Sequence, residues 1–292
     1  MWLFSPSLLV LLFPLIIFPV NLEAQRAQNP TARDVVNQIR NSVNVEWMKE
    51  TVDTFKAGDP GREVTGIVTT FMATQSVLEQ AAREGHNLVI THEPTFYYHY
   101  GDRDRYGENV AVVEDKLEFI EEHNLIIFRF HDHWHRTKPD GIIEGMMRSW
   151  GWENYLVEGE ERVFQIPPQT LNGLAAFFDK LYPNQVIRAV GNPELKIERV
   201  GFAPGASGSM MQIGLLKRAD VQAVIGGEGN EWEAVEYTRD AVAQGKPKGL
   251  IYIGHANSEE AGMKHLVQWL KQRLPYDLPI KHIPAGNPFW SP

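Results

Sequence analysis

The sequence predicts an α/β fold, a mostly parallel sheet covered by helices on both faces, in a style that recurs in the second half of the chain. Two observations carry this. Short apolar runs rich in β-branched residues alternate with stretches whose apolar residues recur at helical spacing. The runs lack polar alternation, which marks strands buried on both faces. Size agrees, because 292 residues with 43% hydrophobic content make one large domain or two of ordinary size.

The chain opens with "MWLFSPSLLVLLFPLIIFPV", which carries no charge, followed by "NLEAQ". An apolar run ahead of small Ala24 predicts a signal peptide over residues 1–24 and an exported protein, periplasmic or secreted. Uncleaved, the run would be a membrane anchor; cleaved, it leaves no stable membrane partner. Thr31 to Ile39 reads as a helix with Thr31 as N-cap. "TGIVTTFM", Thr65 to Met72, is a strand, and "TQSVLEQAAREG" a helix that Gly85 ends. "NLVIT" is a strand stopping at His92, "NVAVVEDKLEFIEEHN" a helix, and "LIIFRF" a strand running into a histidine cluster.

"EGEERVFQIPPQ" combines a charged turn with a Pro pair, so a boundary is set near Gln165, dividing residues 30–164 from 165–292. Beyond it, "TLNGLAAFFDKLY" is a helix, "IERVGFAPG" a strand with a Gly-rich turn, and "VQAVIGGEG" a strand. "NEWEAVEYTRDAVAQG" is a helix, "GLIYIGHA" a strand, and "SEEAGMKHLVQWLKQRL" a helix with Ser258 as cap.

Composition narrows the chemistry. A formal net charge of -9 with no Lys/Arg run disfavours nucleic acid as a partner. The absence of cysteine removes disulfides, thiolate metal sites and Cys nucleophiles, so any metal would sit among nitrogen and oxygen ligands.

In open α/β sheets the ligand crevice lies beyond the carboxyl ends of the strands. Four predicted strands end there in ligand-type residues: His92-Glu93, His131 to His135, Glu228, and His255 with Glu259 four residues later. Two come from each half, which points to a site made by both. His255 and Glu259 would share a face if the first turn is helical, as a ligand pair or merely as a helix start with an acidic residue at its positive end. In "FHDHWHRTKPDG", extended alternation would put His131, His133 and His135 on one side, to chelate a metal or to form a pH-sensitive strip. "APGASGSM" lacks the Lys-Ser/Thr ending of a phosphate loop and reads as a tight turn that brings backbone close to the site. His99 could touch substrate or simply belong to an exposed aromatic loop or interface, Trp134 could wall a pocket, and His123, His265 and His282 read as structural or surface groups.

These motifs resemble the NIF-three-like dinuclear-metal family, whose members are often described as GTP cyclohydrolase I type 2 homologues. "NLVITHEPTFYYH" is similar to the family's Thr-His-His-Pro loop, "FHDHWHRTKPDG" to its second metal loop, "GGEGNEWEAVEY" to its Gly-Glu turn, and "GHANSEEAG" and "IPAGNPF" to its closing elements. The likeness runs from about Pro30 to Phe289. It implies two similar α/β lobes with mainly parallel or mixed sheets covered by helices, a metal site at the strand ends between them, and a hexameric ring. By position, His92 and Glu93 replace a His-His pair, His135 stands where an Asp ligand would be, and Trp232 occupies a position that is often His.

The resemblance implies two divalent metal ions per chain, Zn, Mn, Fe or Ni, held by His92, Glu93, His135, His255 and a bridging Glu259. Glu228 would orient or deprotonate a water, and His131 or His133 would give a proton to the leaving group. The expected activity is metal-dependent hydrolysis of a small substrate through a phosphoester, nucleotide-ring or amide-type bond. GTP is discounted for an exported protein. The alternative is metal binding or delivery without turnover. Amidohydrolase barrels and metallo-β-lactamase folds fit less well, the first for strand order and the second for the missing HxHxDH ending.

Overall fold

The structure is a computed structural model that describes residues 29–100, 103–106, 110–183 and 185–290. The signal segment expected over residues 1–24 lies outside the described residues, and among those described no helix is long and apolar enough to cross a membrane.

The first part of the chain runs α1 (Ala32–Ser42), β1 (Phe55–Ala57), β2 (Ile67–Thr70), α2 (Gln75–Arg83), β3 (Leu88–Thr91), α3 (Ala111–Glu122), β4 (Ile126–Arg129), α4 (Asp132–Arg136) and α5 (Gly141–Trp150). Then come β5 (Val163–Thr170), α6 (Leu171–Leu181), β6 (Arg188–Val190), β7 (Lys196–Ala203), α7 (Gly208–Leu216), β8 (Ala223–Gly226), α8 (Glu236–Ala243), β9 (Gly249–Tyr252), α9 (Glu260–Arg273) and β10 (Ile280–His282). Local chemistry explains the clearest starts. Thr31 accepts from the Asp34 amide while the Asp34 carboxylate accepts from the Thr31 amide, a reciprocal cap that opens α1. Thr74 and Thr170 cap α2 and α6 in the same position, and Asp140 caps α5 through the amides of Ile142 and Ile143.

Two five-stranded sheets result, ordered β1-β4-β3-β2-β10 and β5-β7-β8-β9-β6. Their central strands are parallel, and β1, β5 and β6 close the edges antiparallel. Every residue of β2, β3, β4, β8 and β9 is buried, as their unbroken apolar runs require of a sheet covered on both faces.

The two sheets share one core. Ile90 and Phe128 of the first sheet join Phe202 and Ile251 of the second through Ile142 and Met146 of α5 and Met263 and Leu266 of α9. A Cβ on Gly145 would lie 2.5 Å from the Ala261 carbonyl oxygen and from Gly262 Cα, so α5 and α9 touch backbone to backbone. The boundary near Gln165 falls inside β5, and β10 pairs with β2, returning the chain end to the first sheet. The three residues of β10, set between Pro279 and Pro284, are too short a run to read as a strand.

Candidate metal centre

Parallel strands deliver their carboxyl ends to one edge of each sheet, and the loops beyond β3, β4, β8 and β9 carry His92-Glu93, His131 to His135, Glu228, and His255 with Glu259. The predicted alternation along His131, His133 and His135 is not what forms. Asp53, in the loop before β1, turns the segment into the short helix α4: its carboxylate accepts from the backbone amides of His131, Asp132 and His133 at 2.6, 3.0 and 2.8 Å. In a helical turn residues four apart share a face, so His131 and His135 converge and His133 points away. His133 is fully buried, with Nδ1 at 2.6 Å from Asp53, Nε2 accepting from the Met48 amide at 3.0 Å, and the Trp47 ring stacked 3.6 Å away. It is a strut beneath the site, and both its nitrogens are spent.

The second lobe brings in Glu259 through close backbone approach. Gly205, in the turn read as "APGASGSM", has φ +57, and a Cβ there would lie 2.2 Å from Glu259 Oε1. Ser258 is not the cap of the last helix. Its hydroxyl accepts from the Gly205 amide at 2.8 Å and donates to the His255 carbonyl at 2.6 Å, tying the loops after β7 and β9 together.

Four imidazoles face the centre in one way, each anchored at Nδ1: His92 on the Phe130 carbonyl at 3.3 Å, His131 on Asp132 at 2.9 Å, His135 on Asp140 at 3.2 Å, and His255 on Glu228 at 3.3 Å. With the Nδ1 protons assigned to these anchors, each Nε2 presents a lone pair. His92 Nε2 lies 3.2 Å from His135 Nε2 and 3.5 Å from Glu259 Oε2, and His135 Nε2 lies 3.7 Å from Glu259 Oε1. On the other side His255 Nε2 is 3.1 Å from Glu259 Oε2 and 3.5 Å from Glu93 Oε1, with His131 Nε2 3.8 Å from the same Glu93 oxygen. His92, His131 and His135, and likewise His92, Glu93 and Glu259, each offer one ligand atom within 4.8 Å of the others.

Those separations suit a metal. Bonds of about 2.0–2.1 Å in a tetrahedron put neighbouring ligand atoms about 3.3–3.4 Å apart. Two lone pairs pointed at each other across 3.2 Å repel unless a cation or proton lies between them. Glu259, only 3% exposed, is the residue common to both sides of the cluster.

Electrostatics agree with the geometry. Burial, with the charges of His131, His135 and Arg129, holds the His92 pKa well below its usual value, leaving the ring neutral and able to donate a lone pair. Burial alone would raise Glu93, but its His255 hydrogen bond and the charges of His255, Arg129 and His131 bring it down to about 2. Burial opposes charge on His255 as well, yet hydrogen bonds to Glu228, Glu259 and Glu93 push it up to about 12. His135 also rises against its burial, through Asp140 and then Glu259. A pocket that draws protons onto imidazoles is one that draws cations.

Of the residues expected to form the site, His92, Glu93, His131, His135, Glu228, His255 and Glu259 come together, and His133 does not. Sequence reading missed Asp53, Asp132, Asp140 and Arg129, which hold the ligating groups in place. Asp140 was readable from "KPDG" ahead of a helical pattern, and Asp53 had no local signal at all. Arg129, fully buried, donates to the His92 carbonyl at 2.8 Å and approaches Glu93 Oε2 at 3.4 Å. It also donates to the His99 carbonyl and stands 3.3 Å from His99 Nδ1, so a guanidinium already occupies the side on which His99 joins His131 and Asp132.

A sequence model of the Duf34/NIF3 (NGG1p interacting factor 3) family matches residues 30–288. No curated protein matches. Among solved structures, a Staphylococcus aureus hypothetical protein, SA1388, superimposes with a TM-score of 0.70 at 15% identity, covering 90% of this chain and 100% of that one. A Bacillus cereus protein related to NIF3 gives 0.67 at 12% identity, covering 90% and 99%. Reduced HcgD from Methanocaldococcus jannaschii gives 0.61 at 15% identity, covering 87% and 98%. At these identities the likeness is one of fold.

Proposed function

This chain belongs to the Duf34/NIF3 family, and from that premise we propose that its strand-end cluster holds two divalent cations and hydrolyses a small substrate. The observation supporting this most is the set of four Nδ1-anchored imidazoles whose Nε2 atoms meet Glu93 and Glu259 at ligand spacing. His92, His135 and Glu259 would hold one ion, and Glu93, His255 and Glu259 the other, with His131 beside both. Zn, Mn, Fe and Ni all accept this nitrogen and oxygen donor set. Two such ions, when bound, supply Lewis acidity and bring a coordinated water toward ionisation near neutral pH.

The chain's own groups do the remaining work. Glu228 stands at the rim, its carboxylate kept anionic by the His255 hydrogen bond against the opposing effect of burial, so it can orient a water and take its proton. Of the two histidines considered as proton donors, only His131 reaches the cluster. Arg129 fixes the Glu93 carboxylate, and Asp140 and Asp132 fix the His135 and His131 rings, so ligand geometry is set before any ion arrives.

Elemental analysis of the untagged protein tests the reading. Two ions per chain are expected, and Glu259→Ala is expected to lose both; a Glu259→Ala chain that keeps two ions overturns the bridge. Turnover of one member of a phosphoester, nucleotide and amide panel is expected of the loaded protein. Ready release to a chelator with no turnover would leave metal delivery instead. The reading extends to an exported hexameric ring: N-terminal sequencing of the secreted chain is expected to start beyond Ala24, and light scattering to return a hexamer.

A further inference from the structure

A cavity of about 1010 Å³ opens onto the second-lobe side of the centre, with Glu93, Glu228 and His255 among its lining residues. Its remaining walls are mainly apolar: Phe71, Tyr97, Val186, Tyr252, Phe289 and Trp290. Four of these, Tyr97, Val186, Phe289 and Trp290, are large apolar side chains left exposed at 45%, 62%, 78% and 83%. Such groups scattered singly mean little, but several around one concavity mark a surface that a ligand covers. The tail is tied to α9 by the Ala285 amide donating to Glu260 at 3.0 Å and turns on itself where Asn287 Oδ1 accepts from the Phe289 amide at 2.9 Å.

Charge limits what that ligand can be. Arg188 is the only Lys or Arg among the described residues lining the cavity, and it is bound to Glu231 at 2.6 Å and set 5.8 Å from the Tyr252 ring. Glu93 and Glu228 both contribute carboxylates. A polyphosphate tail, or any second anionic group away from the centre, would meet carboxylates and apolar walls, with no Lys or Arg but the Glu231-bound Arg188 among the described lining residues to receive it.

We infer that the substrate is an amide-type compound with an uncharged aromatic arm, the carbonyl seated at the centre and the arm against Tyr97, Phe289 and Trp290. This rests on the metal reading above and narrows its three bond types to those whose groups are neutral. The arm also explains why so large a cavity adjoins so small a reacting group: an aromatic ring removed from water there contributes binding that the reaction can use for orientation.

Titration calorimetry on the metal-loaded full chain, with its ions counted beforehand, tests the inference without needing the true substrate. Acetohydroxamate probes the ions alone, benzohydroxamate adds the arm, and 4-carboxybenzohydroxamate adds a charge to the arm. Benzohydroxamate is expected to bind about tenfold or more tightly than acetohydroxamate, the carboxylated form to lose most of that gain, and the Phe289→Ala/Trp290→Ala double variant to bring the first two within about threefold. Equal affinities for the acetyl and benzoyl forms in the wild-type chain would overturn the aromatic arm. Undiminished binding of the carboxylated form would overturn its neutrality. If a chain holding two ions binds none of the three, the cavity assignment fails; if it holds no ions, the metal reading falls first and this inference with it.

Discussion

The two lobes build their halves of the centre differently. On the first-lobe side the groups are cross-braced: His92 is fully buried, Arg129 grips both the His92 carbonyl and Glu93, and one Asp53 carboxylate collects three backbone amides and a histidine. On the second-lobe side Glu228 stands half in solvent, and His255 sits on the short turn that runs into Ala256–Ser258, held by Ser258 and Gly205. The rigid side is suited to retaining an ion, and the open side to exchanging ligands and admitting substrate. Glu259 belongs to both, and Glu93 reaches across from the first lobe to stand 3.5 Å from His255 Nε2.

Breaking the brace should have the largest effect. Asp53→Ala leaves α4 without its cap and a buried His133 without its Nδ1 partner, a loss of about 2–4 kcal/mol, and should weaken the His92/His135 ion about 10- to 100-fold. Calorimetric unfolding of the metal-free variant and metal titration read these separately; wild-type affinity in a destabilised chain would mean that Asp53 only supports the fold. Gly205→Ala attacks the other side. The residue has φ +57 and its new methyl would fall on the Glu259 carboxylate, so both ions should weaken about tenfold with about 1–2 kcal/mol of strain.

A smaller effect would sharpen the contrast. Graded chelation should remove the ions in two steps, the one shared with His255 first, followed by elemental analysis at each chelator concentration. His255→Ala should abolish the fast step alone; a single concerted step would mean the lobes do not differ.

The smallest effect lies behind the rigid side. Lys116 is buried, donates to the Thr95 carbonyl at 2.9 Å, and has its pKa lowered by burial to about 8. In the unfolded chain a lysine titrates near 10.4, so between about pH 8 and 10.4 the unfolded state binds more protons and stability rises with pH. Denaturant titrations across that window should show the rise in the wild type and lose it in Lys116→Met.

The α/β class, the central strands β2, β3, β4, β7, β8 and β9 with helices α1, α2, α3, α6, α8 and α9, and the strand ends that carry candidate ligands were legible in sequence, because continuous apolar runs and helical spacing are local properties of the chain; β1, β5, β6, α5 and α7 were not read. His92, Glu93, Glu228, His255 and Glu259 were found from that logic, since parallel strands must deposit their carboxyl-terminal loops on one edge. The His131 to His135 segment was misread as extended because what coils it, Asp53, lies 78 residues earlier and announces nothing locally. β10 was missed for the related reason that three residues gain their strand partner only when the chain end returns beside β2.

The pattern of side chains therefore determined which residues could act, whereas tertiary structure decided which nitrogen of each imidazole looks inward. That choice depends on which carbonyl or carboxylate stands behind the ring. Phe130 behind His92 and Glu228 behind His255 come from neighbouring strand ends, whereas Asp132 and Asp140 lie close to their rings in sequence, in a segment whose coiling depends on distant Asp53.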